Sequence, residues 1–409
     1  MEAIRERVAG LDVHRDVVVA CALSLAGRKR RTDKASFATT TAGLGELASW
    51  LADHDVEAVA MEATGVYWKC VYYALEGLFD DVMLCNAQHV KNVPGRKTDL
   101  SDAEWLADVV AHGMVRASFV PPPPVRELRE LTRYRKTQIS IRGQEVQRLD
   151  KVLQDAGIKL SSVTSKVLGR STRDMVEALI AGERDPERLA QFARTRMRTK
   201  IPALEQALVG HFGAHHAVVA RRALAHIDFL DATIEELTGE VLARLGPFQT
   251  AVELACTMPG IEQLTAQVFV AETGGDMSQF PTPKQLAAWV GFAPANHQSA
   301  GKRRAAGTRK GGQWLRRAMI EAAWAATRSR GTYYAAQFRR LSARIGPNKA
   351  IIAVAHSMTV ALWHMLSTGT PHNDLGADWF RRQDPDAQTR RLVNQLQALG
   401  HRVTLTPAA

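Results

Sequence analysis

The chain has 409 residues, 46% of them hydrophobic and 23% charged, with a formal net charge of +11 and a pI near 9.7. That length allows roughly two to four domains, and the composition excludes wholesale disorder and collagen-like repeats. No apolar run reaches the ~18–20 residues that cross a bilayer, Met1–Gly10 lacks the apolar stretch of a secretory signal, and the four scattered cysteines (Cys21, Cys70, Cys85, Cys256) form no Cys-x-x-Cys, which argues against a disulfide framework or structural zinc and for a reducing cytoplasm.

The charge is unevenly spread. Residues 1–120 carry 13 Lys and Arg against 17 Asp and Glu, a balance of −4, whereas residues 121–409 carry 40 against 25, a balance of +15. An acidic front and a basic remainder suggest a carboxylate-bearing catalytic domain joined to one that binds a polyanion such as nucleic acid. An ordinary basic surface is the alternative.

In chain order, RVAGLDV (7–13) and DVVVACAL (16–23) read as two Val-rich strands joined by a tight turn at His14-Arg15. The basic stretch Arg28 to Lys34 reads as a hairpin end. Thr41 to Asp53 has helical spacing at Leu44, Leu47, Ala48 and Leu51; VEAVAM (56–61) is a further strand, Gly65 to Leu78 a helix, and DVMLCN (81–86) a strand. A hairpin followed by strands alternating with helices predicts an α/β domain with a mixed sheet over residues 1–120.

Pro121 to Pro124 reads as a stiff spacer that is neither helix nor central strand. Beyond it, Leu128, Leu131, Val146, Leu149, Leu153 and Ala156 share a face of one long helix, and Leu224, Ile227, Ile234, Val241 and Leu245 share a face of another. With about sixty mostly helical residues between them, these helices predict an antiparallel coiled-coil arm over 121–248, a plain helical bundle being the alternative. A mostly α domain follows over 249–370. It contains a helix, Pro-Gly turn and helix at 253–274, a short helix at 283–290, a Gly-, Ala- and basic-rich loop at 293–312, and strong helices at 313–330 and 349–367. A peripheral tail, 371–409, carries one amphipathic helix near 386–399.

Four carboxylates carry the chemistry. Asp12 and Glu62 sit at predicted strand ends, and Asp99 and Asp102 lie three apart where a helix begins, on one side of it. Such a set suits hard cations, Mg²⁺ above all, and paired cations stabilise the attacking and leaving oxygens at a phosphodiester. Each acid has a plain structural alternative: Asp99 as a helix N-cap with Asp102 at the third helical position, Asp12 as a turn residue, Glu62 as a surface charge. An Asp between Leu11 and Val13 in a buried strand nonetheless requires a partner.

GLDVHRD at 10–16, MEATGVYW at 61–68 and GRKTDLSDAEWLAD at 95–108 closely resemble the three motif blocks of DEDD insertion-sequence transposases of the one-ten type, bridge-RNA-guided recombinases. TMPGIEQLTAQVFVAETG (257–274), FPTPKQLAAWVGFAPANHQSAGKRR (280–304) and GGQWLRRAMIEAAW (311–324) resemble that family's second conserved region. The resemblance covers about 7–115 and 250–367. It implies a RuvC-like, ribonuclease H-type fold for the N-terminal domain and a Mg²⁺-binding tetrad at Asp12, Glu62, Asp99 and Asp102. It also implies a nucleophilic serine in the C-terminal domain, which falls on Ser299 of Gln-Ser-Ala-Gly-Lys, with Ala300 where the family pattern has Gly. Donor and target DNA, a guide (bridge) RNA, a homo-oligomer from dimer to tetramer, and a bacterial, nucleoid-associated setting follow from the same resemblance.

Lys302, Arg303, Arg304, Arg309, Lys310, Arg316 and Arg317 fall in a segment without an acid, which reads as a grip on a phosphate backbone. Met258-Pro259-Gly260-Ile261 resembles a helix-hairpin-helix turn whose backbone N–H groups, at Gly260, hold phosphate; Glu262 stands where a second Gly is common, and a structural turn is the alternative. Arg28–Arg31 and Arg133–Lys136 are weaker patches that could contact RNA. His14 reads as an orienting neighbour of Asp12, and His215-His216 as a pair without ligand partners. The competing function is a hydrolytic RuvC-like nuclease with no covalent intermediate, or a non-catalytic scaffold.

Overall fold

The computed structural model describes the whole chain except residues 1–2, 27–28, 64, 92, 94–100, 295–297, 300–301, 304–306, 309–310, 384 and 407–409; at residues 26, 88, 298–299, 302–303, 381 and 387 it describes the backbone alone. Two units result, Met1–Val120 and Pro121–Ala409.

Alternating Val, Ala and Leu make the first unit a sheet. Strands β1 (Arg7–Val13), β2 (Val17–Ala26) and β3 (Lys29–Ala38) form an antiparallel meander; β4 (Ala58–Glu62) lies parallel to β1 on its other side, and β5 (Asp81–Cys85) parallel to β4. The order is β3-β2-β1-β4-β5. The basic stretch expected to end a hairpin is instead the body of edge strand β3, where Lys and Arg discourage further strand pairing.

One face of the sheet presents Ala9, Leu11, Val18, Ala20, Val59 and Met61 to helices α1 (Thr41–Asp53) and α2 (Trp68–Leu75). Thr40 caps α1, its hydroxyl accepting from the Gly43 N–H at 3.2 Å. The opposite face presents Val8, Leu23, Ala58 and Ala60 to α3 (Asp102–Ala111), through Trp105, Leu106, Val109 and Val110.

The second unit opens with α4 (Pro123–Asp155). Only the front of the proline run stays extended: Pro123 and Pro124 occupy the first turn, where a helix has no use for the missing N–H. After α5 (Arg170–Ala181) and several shorter helices, α6 (Ala214–Arg244) returns antiparallel to α4. The direction is fixed by Arg244–Glu127, Arg142–Asp231, His226–Glu145 and His216–Asp155. The far end has its own core of Leu149, Leu153, Met175, Leu179, Leu204 and Leu224.

The longer helices that follow are α7 (Gln249–Cys256), α8 (Gln263–Thr273), α9 (Pro283–Val290), α10 (Gln313–Arg328), α11 (Tyr333–Ile345), α12 (Pro347–Thr368) and α13 (Pro385–Ala398). Between α9 and α10 a short hairpin pairs β6 (Gln298–Ser299) with β7 (Lys302–Arg303), so the expected loop is partly strand. Contrary to the reading of the sequence alone, α12 is long and apolar enough by length and composition to cross a membrane. It is a core helix: Ile351, Val354, Met358 and Leu362 pack with Phe269, Leu315 and Met319.

Candidate active site

Alternation along the strands decides which side chains meet. Val8 and Ala58 face α3, so Gly10 and Asp12 on β1, and Ala60 and Glu62 on β4, face the same way. Leu11 is in register with Met61, which puts Asp12 and Glu62 side by side at the carboxyl ends of neighbouring parallel strands. Asp102 is the first residue of α3, the helix over that face.

A glycine makes this approach possible. A Cβ at Gly10 would lie 2.1 Å from the Ala103 carbonyl oxygen and 2.6 Å from the Ala107 nitrogen. The helix bearing Asp102 therefore rests on the strand bearing Asp12 at backbone distance. Asp12 is one-third exposed, with His14 Nε2 at 3.2 Å from its Oδ2. The N-cap of α3 is Ser101, whose hydroxyl accepts from the Glu104 N–H at 3.4 Å, and not Asp99 as the alternative reading had it. Asp99 lies outside the described residues. Asp12, Glu62 and Asp102 share a face and an edge, but they do not bring their oxygens within 4.8 Å of one another as a group.

Much of the basic patch on β3 is spent internally. Lys34 pairs with Glu104 at 2.7 Å, and Arg30 with Glu104 and Asp108 at 3.3 and 3.1 Å. The same holds for Arg133–Lys136: Arg133 clamps the buried Glu272 with two bonds of 2.7 Å, and Lys136 pairs with Glu321 at 2.6 Å. These two patches hold their own units together.

In the second unit, Ser299 and Lys302 are directly opposed across the β6–β7 hairpin, and Gln298 opposes Arg303. Arg304, Arg309 and Lys310 lie outside the described residues. Arg316 braces the segment, donating to Thr308 Oγ1 at 2.9 Å and to the Gly291 carbonyl, with its guanidinium 5.1 Å from the Phe292 ring centre. Arg317 is exposed. Gly260, with φ +85°, is turned onto α10, where a Cβ would lie 2.4 Å from the Ala322 carbonyl oxygen; close helix packing already requires a glycine there.

Asp155, His215 and His216 bring ligand atoms within 4.8 Å of one another, so the histidine pair does have an acidic partner, 61 residues back on α4. Both nitrogens of His216 are already used. Nδ1 accepts the Gly213 N–H at 2.9 Å, which leaves the proton on Nε2, facing Asp155 at 3.0 Å. A ring in that tautomer caps α6 and has no lone pair free for a metal.

A DEDD transposase family model matches residues 9–158, and the model described as Transposase IS116/IS110/IS902 family matches residues 252–339. The chain belongs to the IS110-type transposases. The transposase for insertion sequence element IS1111A of Coxiella burnetii is 24% identical over 373 residues, 88% of this chain and 90% of that protein. A probable family 20 transposase of Pseudomonas aeruginosa is 27% identical over 321 residues, 76% of this chain and 84% of that one. The two matched blocks of this transposase contain the acidic strand ends and the Gly260 turn with α10, the regions described above.

Proposed function

We propose that this transposase is a Mg²⁺-dependent DNA recombinase that cuts and rejoins element and target DNA through a transient Ser299–DNA phosphodiester. The observation that carries this reading is the placement of Asp12 and Glu62 at adjacent parallel strand ends, under the helix that begins with Asp102. The strand order, with three antiparallel strands and two parallel ones, supports a ribonuclease H-type, RuvC-like fold for residues 1–120. The donor set fits a hard cation, since all its members are carboxylates, with Asp99 as the fourth. When bound, Mg²⁺ supplies charge neutralisation at the phosphoryl group and at the departing oxygen.

The chain's own residues do the rest. Asp12, Glu62, Asp99 and Asp102 hold the cation, and His14 orients Asp12. Ser299 Oγ attacks phosphorus and loses its proton, the bond to the DNA 3′ oxygen breaks, and that oxygen takes up a proton on leaving. Reversal onto a different strand end completes exchange without net hydrolysis. Lys302 and Arg303, next to and opposite the serine strand, neutralise the attacked phosphate, with Arg304, Arg309, Lys310, Arg316 and Arg317 along the backbone.

The domain roles follow: catalysis in 1–120, an antiparallel arm in 121–248, the serine domain in 249–370, and a peripheral tail beyond. Val218, Phe229 and Leu242 are at least half exposed on α6, which supports assembly into a dimer or tetramer along the arm. A structured guide RNA that pairs with donor and target DNA would choose the sites, in the cytoplasm at the nucleoid.

The test is incubation of the protein with element-end DNA, Mg²⁺ and the flanking transcripts. A protein–DNA adduct and joined products are expected, with both lost in Asp12→Ala and Ser299→Ala. Cleavage that survives Ser299→Ala with no adduct would make the protein a hydrolytic RuvC-like nuclease instead.

A further inference from the structure

Arg135 is among the largest fully buried side chains of the second unit, 1% exposed on α4. Its Nη2 donates to Gln267 Oε1 at 2.7 Å, and its buried Nη1 has no partner among the described residues. Burial lowers its pKa, and among the described residues it has no ion pair with a carboxylate. A buried guanidinium without an anion is costly by several kcal/mol, and buried cations are ordinarily paired or bound to something.

Arg135 lines a cavity of about 190 Å³ between α4, α8 and α10. The neighbouring cations there are already matched, Arg133 to Glu272 and Lys136 to Glu321. Glu262, at the start of α8, is exposed at the cavity's rim. The other walls are two threonines, Thr132 and Thr265, and apolar groups, Ile139, Val268 and half-exposed Leu264, with the Trp314 indole in the first turn of α10. A cavity below the roughly 300–1,000 Å³ of drug-sized sites suits one planar ring and its anionic group, not a whole cofactor. Trp314 also belongs to the basic segment that begins at Lys302.

We propose that this cavity takes one nucleotide turned out of a nucleic-acid strand, its phosphate against Arg135 and its base against Trp314. The identity of the anion rests on the reading of this chain as a nucleic-acid recombinase; the need for an anion rests on Arg135 alone. Base–aromatic stacking and a desolvated guanidinium–phosphate contact are both tolerant of sequence, so the cavity would hold a strand in place without reading it.

The probes are an oligothymidylate carrying one 5-iododeoxyuridine and an oligouridylate carrying one 5-iodouridine, each irradiated with the full-length protein. Attachment sites and yields are read by peptide mass spectrometry. Attachment at Trp314 is expected, and whether the DNA or the RNA probe gives it identifies the strand. Arg135→Met, which removes the buried charge, and Thr265→Phe, which fills the cavity from its rim, should each lower the yield at Trp314 at least tenfold while melting like the parent. Having two variants guards against one failing to fold. No attachment at Trp314 with either probe, or a yield unchanged in both folded variants, overturns the proposal. If strand cleavage that depends on Asp12 and Ser299 persists in that case, only the cavity assignment falls; if attachment persists without cleavage, only the recombinase mechanism does.

Discussion

The α-carbon of Gly10 lies against the Ala103 carbonyl oxygen, which a Cβ at position 10 would approach to 2.1 Å. This contact sets how deeply the helix starting at Asp102 sits on the strand bearing Asp12, and so the spacing of the carboxylates. Both colliding groups are backbone and cannot rotate away. Gly10→Ala should therefore destabilise the protein by about 3 kcal/mol, at the upper end of overpacking costs, and should abolish Mg²⁺-dependent cleavage even where the protein remains folded. Urea unfolding and a cleavage assay check both; an unchanged midpoint would refute the close-approach argument.

The thiols divide sharply by burial. Desolvation pushes Cys21 up to about 11 and Cys85 to about 12, whereas Cys70 is exposed on α2. At pH 8 the two buried sulfurs are thiolate in only about a thousandth and a ten-thousandth of molecules, and the thiolate is the reactive form. Maleimide should label Cys70 within minutes under native conditions, and Cys21 and Cys85 only after unfolding. Mass mapping of the labelled protein checks this; early labelling at Cys85 would mean that its sulfur is not buried.

The sheet, the long helices and the identity of the acidic strand ends were readable from sequence because each is local. Period-two runs of Val and Ala mark β1, β2 and β4, and Leu spacing marks α1, α4 and α6. Three features escaped, each for its own physical reason. The β3 segment looks like a polar turn until β2 pairs with it. The partner of His216 is Asp155, on an antiparallel helix. Helix α11 buries only Tyr334 and Ala335, too few apolar positions to show a period. Gly10 was visible as a glycine within a strand run, which is the ordinary signal of close backbone approach. Which of the basic clusters were free to bind was not visible, since Glu104, Glu272 and Glu321 neutralise theirs from distant helices.

His356 and His372 both have pKa values lowered by burial, with Asp374 partly opposing this at His372. Above pH 6.5 both rings are neutral whether the chain is folded or not, and their contribution to stability is complete. As pH falls below 6.5 the unfolded chain takes up protons that the folded rings refuse. Stability then drops by at most about 1.4 kcal/mol per pH unit for each ring. The unfolding midpoint of the second unit should fall between pH 7 and 5, and His356→Asn should flatten that fall. A pH-independent midpoint over that window would contradict the burial of these rings.

Cations that hold the fold and cations that grip nucleic acid should separate by salt dependence. Each phosphate neutralised on duplex DNA adds about 0.9 to the slope of log affinity against log salt. Arg317 is exposed in the basic segment, so Arg317→Ala should lower that slope by about 0.9 and leave thermal stability unchanged. Arg133 clamps a glutamate that is 1% exposed, and breaking such a buried pair costs about 3 kcal/mol or more. Arg133→Met should therefore lower the melting temperature by several degrees and leave the slope unchanged. Binding isotherms on element-end DNA from about 50 to 200 mM salt separate the two classes. The opposite assignment, a slope change at Arg133 and none at Arg317, would mean that Arg133 contacts phosphate and Arg317 does not.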